Sequence, residues 1–500
     1  MLRRTGKDEF SRKVDENISR LKDILGVGET FDVILREIRV AGKKAALVWV
    51  DGFIGDDGLQ RALDRLLLLE PGDLSPCASS RLIREKINYA EVESTDSFED
   101  FVTMVLAGNA GLVIDGENQG ILIDVRKYPG RDPDEPDLER VIRGSRDGFV
   151  ETLVFNTVLI RRRLRDPSLR AEVVHVGKRS KTDVALVYLK DIANLDLVSQ
   201  VREKLKAINT DGVPMAEKTI EEFIVPRRNW FNPFPLVRFT ERPDVAVVHL
   251  LEGHVLIIVD TSPSVIIIPA TFFHHVQHAE EYREGVPVGV YVRWVRFIGM
   301  FVALIGPPLW VGFAKRPDWL PEFLKFIGPK EAGRIDIAVQ FIVAEIGVDL
   351  IRIALIHTPN AIATALGFIG ALVLGEMAVE VGLFTTETVL YTALAALGTF
   401  ATPSQEFGLA LRLSRLLFLV VVYIGGLPLL CAAFVLWFAY LATRRSFGVS
   451  YLWPLIPFNA GALWTILVRQ PVPTHWKRPA VLKPQEMDRI PKEQTRRRQR

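Results

Sequence analysis

Three ionisable residues, Glu345, Asp349 and Arg352, stand at i, i+4 and i+7 in an otherwise apolar stretch. That spacing projects all three from one helix face. Charges at membrane depth are costly unless they face protein or water, so such a face reads as an ion path or a buried pair. Asp349 and Arg352 are three apart and can pair within their own helix, which is the plain alternative. Glu376 and Glu380 repeat the i, i+4 spacing on the next apolar stretch, with Glu380 placed to sit at the interface. In an oligomer each carboxylate recurs as a ring that concentrates cations. Glu345 and Asp349 lead this set of candidate ion-path residues, and Arg352, Glu376 and Glu380 complete it.

Other chemistries find less support. His274, His275 and His278 resemble a metal cluster, and His274 and His278 have a usable ligand spacing if they share a helix. No cysteine completes a site. An amphipathic segment at the membrane surface, with Phe272, Phe273 and Val276 inward, explains the same residues. Cys77 and Cys431 are far apart and form neither a metal motif nor a disulfide framework. The basic turn Lys178-Arg179-Ser180-Lys181 could hold an anion but reads more simply as a solvated hairpin tip. No P-loop, dinucleotide fingerprint or nucleophile elbow occurs. Neither catalysis nor a cofactor is expected.

The elements that must position these residues fall into two unlike parts. The chain has 500 residues, 49% hydrophobic and 24% charged, with a mean hydropathy of +0.19. Charges recur every few positions up to about residue 285, after which apolar runs dominate. The net charge of +2 gives no support to nucleic-acid binding. Alternating or β-branched runs at 30–39 and 44–50, across 111–125, and at 171–177 and 184–189 read as hairpins. Stretches 58–69, 97–107, 148–165, 195–208 and 218–224 read as helices. Residues 245–260 and 264–270 read as further strands. The Pro- and acid-rich 128–137 reads as a linker between residues 1–127 and 128–285.

The region 286–445 reads as membrane-embedded, with spans at 292–313, 335–356, 360–384 and 409–442. The last is expected to break around Gly425-Gly426-Leu427-Pro428. Thr388–Ala401 is too short and reads as partial or re-entrant. Residues 446–500 read as an interfacial segment and a basic tail. Lys477–Arg500 holds nine Lys/Arg against three acids, a net of +6, which favours a cytosolic end. With a charged N-terminus lacking a signal peptide, both ends are expected in the cytosol and the number of spans even. The fold class expected is two cytosolic mixed α/β subdomains followed by a polytopic α-helical membrane domain.

Long motifs carry a family resemblance. RVIRGSRDGFVETLVFNTVLIRRRLRD (140–166), HVGKRSKTDVALVYLKDIA (175–193), DGVPMAEKTIEEFI (211–224), the segment 232–284 and IGVDLIRIALIHTPNAIATALGFIGALVLGEMAVEVGLF (346–384) make the chain similar to the A-subunit family of spore germinant receptors. The resemblance runs from about Phe31 to Leu441. It implies a multi-pass protein of the inner spore membrane whose copies assemble into a ring and release cations early in germination. It also implies a small accessory membrane protein, and germinant receptors and dipicolinic-acid channel proteins as further partners. The rival reading is a non-conducting scaffold that gathers those proteins. A weaker third is a dipicolinate transporter using Arg352, Arg412 and Arg415.

Overall fold

Alternation of apolar and polar residues pairs Val33–Val40 (β1) with Lys43–Val50 (β2) as an antiparallel hairpin. The computed structural model describes residues 9–71, 91–127, 143–226, 231–320, 334–356, 360–474 and 476–489, with a few isolated positions between them. The linker 128–137, Cys77, His357 and the last basic residues lie outside these.

Helices Val14–Leu25 (α1) and Asp56–Leu67 (α2) flank the hairpin. Strand Glu91–Thr95 (β3), helix Phe98–Leu106 (α3) and strands Ala110–Ile114 (β4) and Gly120–Asp124 (β5) complete the first subdomain. The sheet runs β1-β2-β4-β5-β3. Its interior strands are apolar on both faces because both are covered. Leu47, Leu112 and Ile123 pack with Leu66 of α2 on one face, and Val48, Val113 and Leu122 with Leu21 of α1 and Phe101 of α3 on the other.

The second subdomain repeats this plan. It comprises Leu153–Arg163 (α4), Leu169–Val176 (β6), Thr182–Leu189 (β7), Leu195–Lys206 (α5), Ala216–Ile224 (α6), Arg238–Thr240 (β8), Pro243–Glu252 (α7), Val255–Val259 (β9) and Val265–Ile268 (β10). Its sheet order, β6-β7-β9-β10-β8, is the order of the first sheet. The two subdomains are therefore a structural duplication that the sequence does not advertise. One expectation fails here: residues 245–252 are helical, not extended. Pro243 fixes the first turn and Gly253, at φ 104°, ends the helix, which outweighs the β-branched run of valines.

Asp32 and Arg161 join the subdomains. The guanidinium donates to both carboxylate oxygens, at 2.5 and 2.9 Å, with both side chains buried. Burial alone would raise the Asp32 pKa, but the Arg161 charge and the hydrogen bonds from Arg161 and Thr30 together outweigh it and hold the carboxyl below its usual range.

The chain divides into two compact units. The first holds both α/β subdomains together with the tail from His475. That tail is docked: Gln485 N–H donates to the Ile192 carbonyl at 2.9 Å, and Arg478 to Leu251 at 2.8 Å. The second unit comprises Phe231–Arg238 and Ala270–Thr474. Its helices are Val286–Ala314 (α8), Ile337–Ile356 (α9), Asn360–Leu372 (α10), Thr386–Phe400 (α11), Gln405–Thr443 (α12) and Ala460–Leu467 (α13). Helix α10 continues through a π turn, Val373–Met377, to Glu380. Among the described residues three helices are long and apolar enough to cross a membrane: Val286–Ala314, Ile362–Glu380 and Gln405–Thr443. The segment α12 is two helical arms that meet at Gly426 (φ 64°, ψ −160°), just before Pro428, where the sequence places a break. The second arm folds back on the first, so that Trp437 Nε1 donates to Ser414 Oγ at 3.1 Å and the rings of Phe418 and Phe434 lie 6.1 Å apart.

Candidate functional site

Helix α9 is 20 residues long and apolar apart from Gln340, Glu345, Asp349 and Arg352. Its charges are met by α12, which carries Arg412 and Arg415 three residues apart on its buried face. Arg412 Nε donates to Glu345 Oε2 at 3.1 Å, its Nη2 to the Glu345 carbonyl at 2.9 Å, and its Nη1 lies 2.6 Å from Asp349 Oδ1. Arg415 Nη2 donates to Glu345 Oε2 at 2.7 Å, and its Nη1 to the Ala303 carbonyl of α8. Two acids and two arginines form a neutral quartet that ties three helices together. Glu345, Arg412 and Arg415 are buried, while Asp349 is about one-third exposed.

In place of the alternative Asp349–Arg352 pair within α9 stands a cross-helix one. Asp349 turns to Arg412, whose fork reaches both acids at once; Arg352 is half-buried one turn further along. Glu376, within the π turn, and Glu380 are both exposed. The five candidates thus separate into Glu345 and Asp349 inside the ion-pair cluster, Arg352 beside it, and Glu376 and Glu380 on a free helix face.

Sequence reasoning named Arg412 and Arg415 only as anion binders and missed them as partners. Two arginines three apart in an apolar helix are the signal that pointed to opposing carboxylates. It also missed a polar contact between α9 and α11. Gln340 Oε1 accepts from Thr385 N–H at 2.8 Å and from Thr388 Oγ1 at 3.1 Å.

The three histidines serve separate ends. The helical turn there ends at His275, so His274 and His278 do not share a helix face. His274 Nδ1 accepts from Thr271 N–H at 3.1 Å, and His278 Nδ1 from Glu280 N–H at 3.2 Å. His275 stacks on Phe407, centroids 5.5 Å apart, inside an aromatic cluster. Burial, helped by the Arg238 charge, pushes its pKa down to about 3.

A second arginine cluster closes the base of the unit. Arg293 of α8 donates to Glu281 at 2.6 Å and to the Thr465 and Ile466 carbonyls at 3.2 and 2.7 Å, capping the end of α13. Arg469 reciprocates, donating to the Glu284 and Tyr282 carbonyls at 2.5 and 2.9 Å. The segments before the first long helix and after the last are thereby clasped together. Gly289 permits this approach, since a Cβ there would stand 2.4 Å from the Glu281 carbonyl oxygen.

Comparisons with known proteins find relatives over most of the chain. Residues 19–481 match the family model described as Bacillus/Clostridium GerA spore germination protein. The chain is 44% identical to stage V sporulation protein AF of Bacillus subtilis (strain 168), over 96% of this chain and 97% of that one. It is 30% identical to spore germination protein GerLA of Bacillus cereus, over 97% and 99%. It is 28% identical to spore germination protein KA of Bacillus subtilis, over 97% and 89%. The crystal structure of the N-terminal domain of the A subunit of the Bacillus megaterium spore germinant receptor GerK3 matches 53% of this chain and 97% of that one, at 29% identity and a TM-score of 0.41. With paired α/β subdomains, long apolar helices and a family match over most of its length, the chain is a membrane protein of the GerA family of spore germination proteins.

Proposed function

We propose that this chain is a subunit of a homo-oligomeric cation channel in the inner spore membrane, amplifying cation release early in germination. One observation carries the reading. Among the described residues of the helix Ile362–Glu380 only Ala378 is buried within the chain, yet it carries the exposed carboxylates Glu376 and Glu380. A hydrocarbon surround suits its apolar face but not those acids, so they call for water or protein from a neighbouring copy. Repeated around a ring, they would draw cations to the mouth of a shared passage. The π turn at Val373–Met377 adds support, because such bulges concentrate at functional sites. Asp349, one-third exposed, is the third path carboxylate in this reading. Glu345, held by two guanidiniums, positions α9 against α12, and Arg352 lies beside them.

The docked tail supports an even number of crossings. It belongs to the same unit as the α/β subdomains, so the membrane segments start and finish on one side, which we assign to the cytosol. Three helices satisfy length and composition; α9 crosses despite its charges, α11 runs from Gln340 back to Gly299 of α8, and the two arms of Gln405–Thr443 count as separate passes, which makes six. The proposed boundaries are 1–127 and 128–285 for the cytosolic subdomains, 286–445 for the membrane domain and 446–500 for the end segment. A small accessory membrane protein, germinant receptors and dipicolinic-acid channel proteins are the partners expected, with no enzymatic step.

The neutral quartet favours a second reading, a non-conducting scaffold, because paired charges need no pore. Spores carrying Glu376→Gln with Glu380→Gln separate the two. A channel predicts slower cation release at normal protein level, and a scaffold predicts unchanged release.

A further inference from the structure

Helix α11 turns a row of hydroxyls inward: Thr388, Thr392 and Thr399, with Thr402 just beyond. Most have protein partners. Thr388 donates to Gln340, Thr399 to the Ala395 carbonyl at 2.9 Å and Thr402 to the Gly398 carbonyl at 3.3 Å. Thr392 departs from this pattern. It is 5% exposed, and its hydroxyl has no partner among the described residues, not even the carbonyl four positions back that helical threonines commonly use.

Among the other buried atoms in that condition are Glu345 Oε1 and Arg415 Nε. They belong to side chains already joined through Oε2 and Nη2 at 2.7 Å, so a free acceptor and a free donor lie side by side. Polar atoms this deeply buried carry a large cost unless something bonds them. Position along α11 brings Thr392 into the same region. Gln340 of α9 meets Thr388, and Arg415, bonded to Glu345 of α9, reaches Thr399 at 3.4 Å. Thr392 falls between those two levels, which are about 16 Å apart along the helix.

We propose that Glu345 Oε1, Arg415 Nε and Thr392 Oγ1 bind ordered water inside each subunit, at membrane depth. The chemistry selects the ligand. Two guanidiniums on Glu345 oppose an alkali cation, and the carboxylate opposes an anion. A neutral molecule that both donates and accepts satisfies all three atoms, and a buried water makes two to four such bonds. The site lies within one chain, so it is separate from any path between chains and persists whether or not copies associate. Hydration there completes the bonding of the Glu345–Arg412–Arg415 cluster, and a fully satisfied buried network holds one arrangement.

The test is water-edited solid-state NMR on the full chain in lipid bilayers, with Thr392 and Glu345 labelled and Leu411, buried and apolar, as the dry reference. The site predicts magnetisation arriving from water at Thr392 and Glu345 several-fold faster than at Leu411. Equal rates overturn it. Thr392→Val keeps the shape and removes the hydroxyl. It should slow transfer to Glu345 and lower the thermal midpoint. A raised midpoint overturns the proposal, because replacing a dry orphan hydroxyl by a methyl is neutral or stabilising.

Discussion

Replacing Glu345 by glutamine preserves the volume of the side chain and removes the charge at the centre of the quartet. Its Oε2 accepts from Arg412 at 3.1 Å and from Arg415 at 2.7 Å, with all three side chains buried. Charge-assisted bonds of this kind contribute roughly 1.5–3 kcal/mol each. Breaking a buried ion pair by removing one partner costs about 3–5 kcal/mol, because the other charge is stranded. Both routes converge, so Glu345→Gln should destabilise the folded protein by about 3–5 kcal/mol. The double change Glu345→Leu with Arg415→Leu should recover most of that loss. It removes one acid and one base together and leaves the Arg412–Asp349 pair intact at 2.6 Å. The assay is reversible unfolding of the full chain in mixed micelles, with all four members of the cycle measured. A coupling energy above about 2 kcal/mol supports a cooperative cluster. Single changes that cost under 1 kcal/mol, or that simply add, refute the reasoning.

Other expectations follow from single contacts. A Cβ on Gly398 would stand 2.1 Å from the Gly299 carbonyl oxygen, so Gly398→Val must push α11 away from α8 and should abolish the monodisperse peak in size-exclusion chromatography. Gly375 has nothing within 4 Å, and Gly375→Ala should leave that peak unchanged and stability equal or better. His275, with its pKa pushed from 6.5 down to about 3, is held neutral by the fold. Its stabilising effect is complete above the unfolded value of 6.5 and should decline as pH falls towards 3, by roughly 1.4 kcal/mol per pH unit. His275→Phe should flatten that slope in thermal unfolding measured between pH 7 and pH 4.5.

Much of the architecture was legible because its signals are local. Period-two apolar runs marked the hairpins at 33–50 and 169–189, and the long apolar stretches marked α8, α10 and α12. The segment 245–252 was misread because valine and leucine report burial on a sheet and burial in a helix alike. Pro243 and Gly253 carried the deciding information in two residues. The repeat of sheet order was hidden because strand pairing is non-local and its two copies share pattern rather than sequence. At the candidate site, spacing gave the acids of α9 but not their partners, since Arg412 and Arg415 lie more than 60 positions away. Intrahelical reach made Arg352 the nearest partner for Asp349 on paper; a guanidinium from a packed helix won instead, because it serves Asp349 and Glu345 together.

The central claim is that copies of this chain surround a wet passage to which Glu376 and Glu380 contribute. Conductance of the purified full-length protein across planar lipid bilayers tests it most directly. The account predicts cation-selective currents that shrink, and lose selectivity, when Glu376 and Glu380 are both changed to glutamine. Bilayers that stay silent with the wild-type protein, or currents identical in the double variant, would contradict it.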